Sequence, residues 1–395
     1  MRRRWAEARE ALHEAAALLS PPPAGRVPLR EAMGRALAEG TTAPAPVPHF
    51  SSSAMDGYAV AGPPPWTLLE APVEDSEGRN VHRRALPLRP GGARPVLTGS
   101  LLPPGADGVV RSEHALLEGG LLRPLPEHPH RTGRDIRRAG EELAPGALLL
   151  EAGTRLGPRQ LALLASCGID EVTVREPVGV SLGRTGNEVI PAGLPGPGEV
   201  RDAFSPGFPT LLRAWGARVD RNDWLPDDAG AVRRWIAGAE GRLVVLTGGS
   251  GSSGQDFVRS ALADLGADLV ASSLAVRPGH PTILGILPGE RIVLGLPGNP
   301  LAAHTSLYSF APAACAGLLG SPLPSTSRGR LGAAVAPLPS GEDRLLPARW
   351  DGERVLPLSG TRSHMLSGLA AAEVLCRVGP EGGVEGQEVE LLRLD

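Results

Sequence analysis

The chain has 395 residues and a formal net charge of −3, and all 40 of its basic Lys/Arg positions are arginine. Because lysine is absent, a phosphate-binding loop that depends on a lysine and a lysine Schiff base are both excluded. Arginine is spread along the chain rather than concentrated in one basic segment, which argues against a nucleic-acid-binding protein. At about 100–200 residues per domain, the length predicts two to four domains.

Cysteine use and the N-terminal segment indicate the compartment. Cys167, Cys315 and Cys376 are odd in number and far apart, which favours a reducing compartment over a disulfide framework or a zinc cluster. The N-terminal segment carries Glu7 and Glu10 where a signal peptide would be apolar, so it is expected to form an amphipathic helix. No run approaches the ~18 apolar residues of a membrane span. We therefore expect a cytoplasmic protein without a membrane segment.

The N-terminal half is predicted to mix helix and short strands. Residues 27–40 have helical apolar spacing and end at Gly40, which predicts a helix. From 54 to 138, short apolar runs are broken by Pro and Gly, which predicts a small β domain. A helix over Pro158–Cys167 and a strand at 171–176 follow.

From 177 to 320 the pattern alternates between apolar runs and helical spacing, which predicts a doubly wound α/β domain with a parallel sheet. The predicted strands are 178–182, 217–226, 242–246, 267–270 and 291–296, and the predicted helices are 208–215, 228–239, 257–265 and a helix from Leu301. Short strands and turns from 328 to 395 predict a second β module.

A Gly/Ser-rich loop is the most informative motif of the α/β part. Residues 247–256 follow an apolar strand and precede a predicted helix, so several backbone N–H groups are exposed together. This arrangement suits phosphate or another oxyanion, and the alternative is a flexible surface loop. Loops 183–188 and 297–300 also follow strands of the parallel sheet. All three loops are therefore expected at one edge, around an anionic ligand.

Acidic residues near the strand ends suggest a metal. Glu188, Asp202, Asp227, Asp228 and Asp256 all lie in this domain. Carboxylates beside an anion-binding loop are consistent with Mg²⁺, which prefers oxygen ligands. The alternative is helix capping, for which Asp228 has the expected position.

The β domain contains two further motifs whose residue types, by themselves, indicate structural roles. Asp56-Gly57 is typical of a turn, and the Thr98 hydroxyl is of a kind that is usually structural. His128 and His130 flank a proline in an arginine-rich segment, where we expect a solvated loop rather than metal ligands.

Taken together, these segments resemble one enzyme family. VPLREAMGRALAEG, SAMDGYAV, LTGSLLPPGADGVV, GRDIRRAGEEL, RTGNEV, TGGSGSSGQD, RPGHP and GLPGNPLAA occur in family order over nearly the full length. In this order they resemble the molybdopterin molybdenumtransferases, of the MoeA and gephyrin E-domain type.

The resemblance implies an elongated homodimer whose site is shared between subunits. It implies a linking domain (1–53 and 139–176), an inserted β domain (54–138), a MoaB/Mog-like α/β domain (177–320) and a C-terminal β-barrel (328–395). The implied reaction hydrolyses adenylyl-molybdopterin with Mg²⁺, inserts molybdate and releases AMP. The implied protein partners are the molybdopterin adenylyltransferase and the recipient molybdoenzymes.

The resemblance also assigns residue roles. The catalytic residues it implies are Asp56, Thr98, Glu188 and Asp256. Metal ligands would come from Glu188, Asp227, Asp228 and Asp256, and the choice between the two neighbouring acids stays open. Phosphate and molybdate would be bound by Gly248, Gly249, Ser250, Arg277, His280, Pro297 and Asn299.

Several positions depart from the family pattern. Asn187 stands where an aspartate is usual, Ala203 and Phe204 replace Ser-Asn, and two lysines become Arg277 and His280. Because a histidine is mostly neutral above pH 7, anion binding is expected to weaken as the pH rises. These departures motivate an alternative, a paralogue that binds molybdopterin or its nucleotide without turnover. The related adenylyltransferase reaction is a third possibility, against which the two β domains argue.

Overall fold

The computed structural model describes residues 1–69, 86–249 and 257–394. The chain divides into two compact units. The larger, here the core unit, comprises 1–40, 151–161 and 171–395, and the smaller, here the β unit, comprises 41–150 and 162–170.

The first 150 residues form β1 (Arg2–Arg3), α1 (Trp5–Ala17), β2 (Ala24–Pro28), β3 (Thr41–Thr42), β4 (Ser52–Ser53), β5 (Gly57–Val60), β6 (Trp66–Leu68), β7 (Gly92–Val96), β8 (Gly108–Arg111), β9 (Ala115–Glu118), β10 (Leu121–Pro124), β11 (Ile136–Arg137) and β12 (Leu148–Leu150). The middle of the chain forms α2 (Pro158–Ser166), β13 (Glu171–Arg175), β14 (Val178–Thr185), β15 (Val189–Ile190), β16 (Val200–Arg201), α3 (Phe208–Ala214), β17 (Ala217–Leu225), α4 (Ala229–Ala237), β18 (Leu243–Thr247), α5 (Phe257–Asp264), β19 (Asp268–Ala271), β20 (Ser273–Leu274), β21 (Val276–Arg277), β22 (Ile283–Leu287), β23 (Arg291–Leu296) and α6 (Pro300–Leu319). The last part forms β24 (Ser327–Leu331), β25 (Asp343–Asp351), β26 (Arg354–Pro357), α7 (Ser367–Ala370), β27 (Val374–Val378) and β28 (Glu388–Arg393).

The central sheet of the core unit has the strand order β17-β14-β18-β23-β22-β19. Strands β17, β14, β18 and β23 are parallel, which confirms the predicted α/β fold. The prediction of a wholly parallel sheet is wrong, because β22 pairs antiparallel with both β23 and β19. Residues 288–290 alone connect β22 to β23, and three residues can close a hairpin but cannot make a parallel crossover.

Helix α6 is apolar on all sides and almost entirely buried. Helix α1 packs along it, and the Trp5 indole donates a 2.8 Å hydrogen bond to the Ser309 hydroxyl. At the crossing, a Cβ on Gly317 would lie 2.5 Å from the His13 carbonyl oxygen, so glycine permits the close approach. In the described part of the chain, none of the helices has both the length and the apolarity to cross a membrane.

The helix predicted over residues 27–40 is wrong. Strand β2 pairs antiparallel with β13, and a short 3₁₀ turn follows at Leu29–Glu31. Beyond the turn, the backbone N–H of Gly34 donates to Leu156 and that of Leu37 to Thr154. These residues form irregular structure whose backbone hydrogen bonds go to segments distant in sequence. The spacing of apolar residues does not show where backbone hydrogen bonds go, so it wrongly predicted a helix.

The β unit contains a six-stranded sheet in the order β8-β5-β7-β6-β10-β9, as the predicted β domain requires. The solvated-loop prediction is wrong for His130, whose side chain is only 10% exposed. Its Nε2 lies 3.0 Å from the Asp107 carboxylate, and its ring meets Trp66 edge-on. His130 is therefore part of the packing of this unit.

The C-terminal strands form the predicted barrel. The order is β25-β26-β24-β28-β27, and a further β27–β25 pairing closes the five strands. Buried apolar side chains fill the interior, among them Leu331, Val355 and Leu391. Closure pairs the strand edges that an open sheet would expose.

Candidate functional site

A cavity of about 760 Å³ lies at the carboxyl ends of the parallel strands in the core unit. The strand register explains its position, because Arg184 pairs with Thr247 and Thr247 with Leu296, so three strands end at one level. The lining residues are Arg184, Thr185, Gly186, Glu188, Val189, Pro195, Glu199, Val200, Arg201, Asp202, Ala203, Phe204, Asp227, Thr247, Gly248, Gly249, Phe257, Gly298, Asn299, Pro300 and His364.

The start of the Gly/Ser loop lines this cavity through Gly248 and Gly249. Gly248 has a φ of +84°, and a Cβ there would collide with the Thr185 hydroxyl, so glycine is required. Its N–H donates to the Leu296 carbonyl and is already engaged within the protein. The Thr247 hydroxyl is buried and has no hydrogen-bond partner among the described residues, so a polar group remains unsatisfied beside the cavity.

Three acids predicted from the sequence, Glu188, Asp202 and Asp227, line the cavity. The Asp227 carboxylate accepts a 2.9 Å hydrogen bond from the Asn187 N–H, and the Asn187 side-chain oxygen accepts one from the Asp227 N–H. Asp228 instead caps α4, accepting a 2.6 Å hydrogen bond from the Ala231 N–H. Of the two neighbouring acids, Asp227 faces the cavity, and Asp228 has the capping role that was its alternative.

Arg184 is a cavity residue that the sequence analysis missed. It forms a 2.6 Å ion pair with Asp202, and both side chains are largely buried. Burial opposes ionisation of Asp202, but hydrogen bonds from Ser205 and Phe204 and the charge of Arg184 outweigh it and lower its pKa. The signal was available, since a charged residue at the end of an otherwise apolar strand needs a partner.

One wall of the cavity is aromatic. Phe204 lines it and packs against Phe208 and His304, with ring centroids 5.1 and 5.8 Å apart. Burial lowers the pKa of His304, although its Nδ1 lies 2.9 Å from the Pro300 carbonyl. His364, from the C-terminal part of the chain, also lines the cavity. The neighbouring Ser363 carbonyl accepts a hydrogen bond from the Leu301 N–H near the start of α6.

Arg277 and His280 do not appear among the described lining residues, and neither does Pro297, although Asn299 does. Both basic residues face the buried carboxylate of Glu342: Arg277 donates to it, and His280 Nδ1 lies 3.2 Å away. Glu342 also pairs with Arg2 and accepts from Ser340. Burial opposes its ionisation, but the Arg277 and Ser340 hydrogen bonds lower its pKa. Arg277 and His280, which were predicted to bind an anion, therefore already have the Glu342 carboxylate as a partner within the protein.

In the β unit, the structure brings together Asp56 and Thr98, 42 residues apart in sequence. The Thr98 N–H and hydroxyl both donate to one Asp56 oxygen, at 2.6 and 2.9 Å. These two hydrogen bonds, first the amide and then the hydroxyl, hold the pKa of Asp56 below its usual value. Asp56 is exposed, and its other oxygen has no hydrogen-bond partner among the described residues, so it can accept a hydrogen bond from a ligand.

The residues present suit Mg²⁺ in part. Glu188 and Asp227 supply carboxylate oxygens in the cavity, and Mg²⁺ commonly takes one or two protein carboxylates and completes its shell with water and phosphate. Within the ranges that the structure covers, no three His, Cys, Asp or Glu side chains converge on one point. Ser250 and Asp256 lie outside the described residues.

Comparison with known families matches most of the chain. Residues 3–168 match "MoeA N-terminal region (domain I and II)", and residues 184–315 match "Probable molybdopterin binding domain". The molybdopterin molybdenumtransferase of Synechococcus elongatus is 34% identical over 301 residues, covering 72% of this chain and 73% of the relative. Molybdopterin molybdenumtransferase 2 of Mycobacterium tuberculosis is 31% identical over 380 residues, 91% of each chain.

Solved structures share the fold over nearly the whole length. One crystal structure of the molybdopterin biosynthesis moeA protein from Pyrococcus horikoshii superposes with a TM-score of 0.81 at 24% identity, covering 99% of both chains. A second crystal structure of a molybdopterin biosynthesis moeA protein, with its source printed as Pyrococcus horikosii, gives a TM-score of 0.73 at 26% identity, covering 98% of both.

Proposed function

The chain belongs to the molybdopterin molybdenumtransferase family, and from that premise we propose that it inserts molybdate into adenylyl-molybdopterin with release of AMP, as a Mg²⁺-dependent step of molybdenum cofactor biosynthesis. One observation carries this proposal: a 760 Å³ cavity at the strand ends combines four acidic side chains (Glu188, Glu199, Asp202 and Asp227), two arginines and a glycine turn. A volume of about 300–1,000 Å³ is usual for small-molecule sites. The proposal includes a homodimer that works in the cytoplasm.

In this proposal the chain's own residues position the substrate. Glu188 and Asp227 would hold Mg²⁺, which when bound offsets the charge of the phosphoanhydride. Gly249 lines the cavity, where its amide would donate to a phosphate oxygen, and Asp256 would have the role predicted from the sequence. Phe204 provides an apolar surface for a flat ring. Asp56, kept ionised by Thr98, would orient an attacking water or accept its proton.

The test uses two adjacent acids as a matched pair. Purified protein is mixed with adenylyl-molybdopterin, Mg²⁺ and molybdate, and released AMP is measured by chromatography. Asp227→Asn removes a cavity carboxylate and is expected to lower AMP release by roughly 100-fold or more. Asp228→Ala removes a helix cap outside the cavity and is expected to keep the rate while costing about 1 kcal/mol of stability.

Absence of AMP release from the unmodified protein would overturn the proposal, and so would an Asp228→Ala variant as inactive as Asp227→Asn while still folded. The same assay at increasing EDTA measures the metal requirement, which is expected to be complete and restored by Mg²⁺.

A second candidate function rests on two internal pairings. Asn187 engages the Asp227 carboxylate, and Glu342 matches the charge of Arg277. The first pairing occupies a carboxylate that could bind a metal, and the second occupies an arginine that could bind an anion. Both pairings favour a paralogue that binds molybdopterin or its nucleotide without turnover. Calorimetric binding of adenylyl-molybdopterin without AMP release would select this alternative.

A further inference from the structure

A second, smaller cavity of the core unit is lined by arginines. Its volume is about 140 Å³, and it shares no lining residue with the larger cavity. Four of its lining residues are arginines and one is an acid: Arg35, Arg155, Arg175, Arg213 and Glu176. The arginines come from four separate parts of the chain, and the fold brings them together.

Backbone carbonyls fix three of the guanidinium groups. Arg35 Nε donates to the Arg175 carbonyl and Arg155 Nε to the Gly34 carbonyl, each at 3.0 Å, and Arg175 Nη1 donates to Pro22 at 3.3 Å. Because Arg35 and Arg155 use Nε for the protein, their terminal nitrogens remain as a two-donor fork. Such a fork matches the oxygens of an oxyanion bidentately.

No carboxylate within the described residues forms an ion pair with any of these four arginines, although arginines elsewhere in the chain have such partners. Arg213 stands in the last turn of α3 and is exposed, and its guanidinium group has no protein hydrogen-bond partner in the described part of the chain. Partial burial lowers the pKa of Arg155, although much of the residue stays accessible to water. Neighbouring like charges repel, and an anion between them relieves the repulsion.

The cavity size limits the occupant. At about 140 Å³ the cavity is smaller than the roughly 300–1,000 Å³ that is usual for small-molecule sites, which suits a small tetrahedral oxyanion better than a pterin or a nucleotide. Glu176 narrows the choice further, since a carboxylate accepts a hydrogen bond from an anion that still carries a proton. Phosphate carries one near neutral pH, whereas sulfate does not.

We propose that this arginine pocket is a binding site for inorganic phosphate, separate from the candidate active site. Arg35, Arg155 and Arg213 donate to the phosphate oxygens, and Glu176 accepts from the protonated one. Three positive charges remain after Glu176 is counted against the four arginines, enough to bind a dianion.

Calorimetry of the full chain with phosphate and with sulfate at low ionic strength tests the proposal. We expect saturable phosphate binding that weakens at least tenfold in Arg213→Gln, whose side chain supports no backbone contact, and at least as much in Arg155→Gln. The control Arg328→Gln removes an exposed arginine of β24 that pairs with Glu388 and is expected to bind as the unmodified protein does. Glu176→Gln is expected to abolish the preference for phosphate over sulfate.

A crystal soaked with arsenate, a protonated analogue of phosphate with an anomalous signal, locates the site. A peak between Arg155 and Arg213 supports the proposal. A peak confined to the cavity around Gly249, no saturable phosphate binding, or equal affinity in Arg213→Gln and Arg328→Gln would each overturn it. None of these readouts uses AMP release, so the proposed function and this site fail or hold separately.

Discussion

Buried ion pairs show what single arginines do in a chain without lysine. Arg184 and Asp202 are mostly withdrawn from water beside the large cavity, and Arg111 donates to both oxygens of Asp135 at 2.9 Å. A planar guanidinium can satisfy a carboxylate in this way, whereas an ammonium group is a point charge. Each pair positions a turn that carries polar groups, Asp202 by also accepting from the Phe204 and Ser205 amides.

Loss of the Asp202 charge is expected to destabilise the protein in a pH-dependent way. Because its pKa is lower in the folded protein than the usual 3.8, ionised Asp202 stabilises the fold above that pH, and the contribution disappears as the pH falls below it. Asp202→Asn leaves Arg184 buried and unpaired, which costs about 3 kcal/mol at pH 7. Urea unfolding from pH 7 to 3 should show the variant and the parent converging in acid; a constant difference would contradict this.

Thr98 is expected to tune Asp56. The Thr98 amide and hydroxyl lower the pKa of Asp56, so Thr98→Ala, which removes the hydroxyl hydrogen bond, should raise it. The acidic limb of the pH dependence of AMP release is then expected to move to higher pH, and Thr98→Ser should move it back. If the alanine and serine variants titrate alike, the hydroxyl has no such role.

For single residues, the sequence indicated which side chains could have a functional role better than it indicated which side chains they contact. The sequence singled out both Asp227 and Asp228. Which of the two caps the helix depends on the residue at which α4 begins, and the sequence does not predict that boundary to one residue. It also marked Arg277 and His280 as anion ligands. Their partner Glu342 stands more than 60 residues away in the chain, and no local pattern connects them.

Among the elements, those with a strong period or a long apolar run were predictable. The helices α2, α3, α4 and α5 and the strands β14, β18 and β23 lie within a few residues of their predicted bounds. Strand β22 was missed because its sequence, ILGIL, was too short to distinguish from a buried loop. The false helix at 27–40 shows the reverse error, since helical spacing also arises where irregular chain buries alternate sides.

The crossing of α1 and α6 is expected to tolerate no side chain at its narrowest point. A Cβ on Gly317 would meet the His13 carbonyl oxygen and the Ala16 Cβ at 2.5 and 2.7 Å, and both belong to α1. Gly317→Ala should therefore push the helices apart and cost about 1–3 kcal/mol. The control is Gly230→Ala in α4, where the nearest atoms are flexible side chains and alanine is the better helix former. Thermal unfolding of both variants gives the comparison, and equal midpoints would contradict it.

For the whole molecule, the α/β domain and a second β module followed from the pattern along the chain, whereas the barrel was implied by the family resemblance. The division of chain segments between the two units did not follow from composition. The three cysteines are distributed over both units: Cys167 lies in the β unit, and Cys315 and Cys376 lie in the core unit. All three are buried and free. Burial raises the pKa of Cys315 and of Cys376 to about 12.

Thiol labelling is expected to report the opening of each unit. Because all three thiols are buried, and burial also raises the pKa of Cys315 and Cys376, native protein should react with iodoacetamide far more slowly than protein in urea. Variants that keep Cys167 or Cys376 as the single cysteine then measure the β unit and the core unit separately. Rapid labelling of the native protein at either position would contradict the burial described here.

Strand β23 has a parallel neighbour on one side and a hairpin partner on the other, so the turn at 298–300 is anchored from both directions. By contrast, the chain between 186 and 207 is held by the two-residue strands β15 and β16 and by the Arg184–Asp202 ion pair. One side of the cavity therefore rests on the central sheet, and the other side rests on a short strand pair and one ion pair. A change in length between residues 191 and 199 would alter the second side and leave the sheet unchanged.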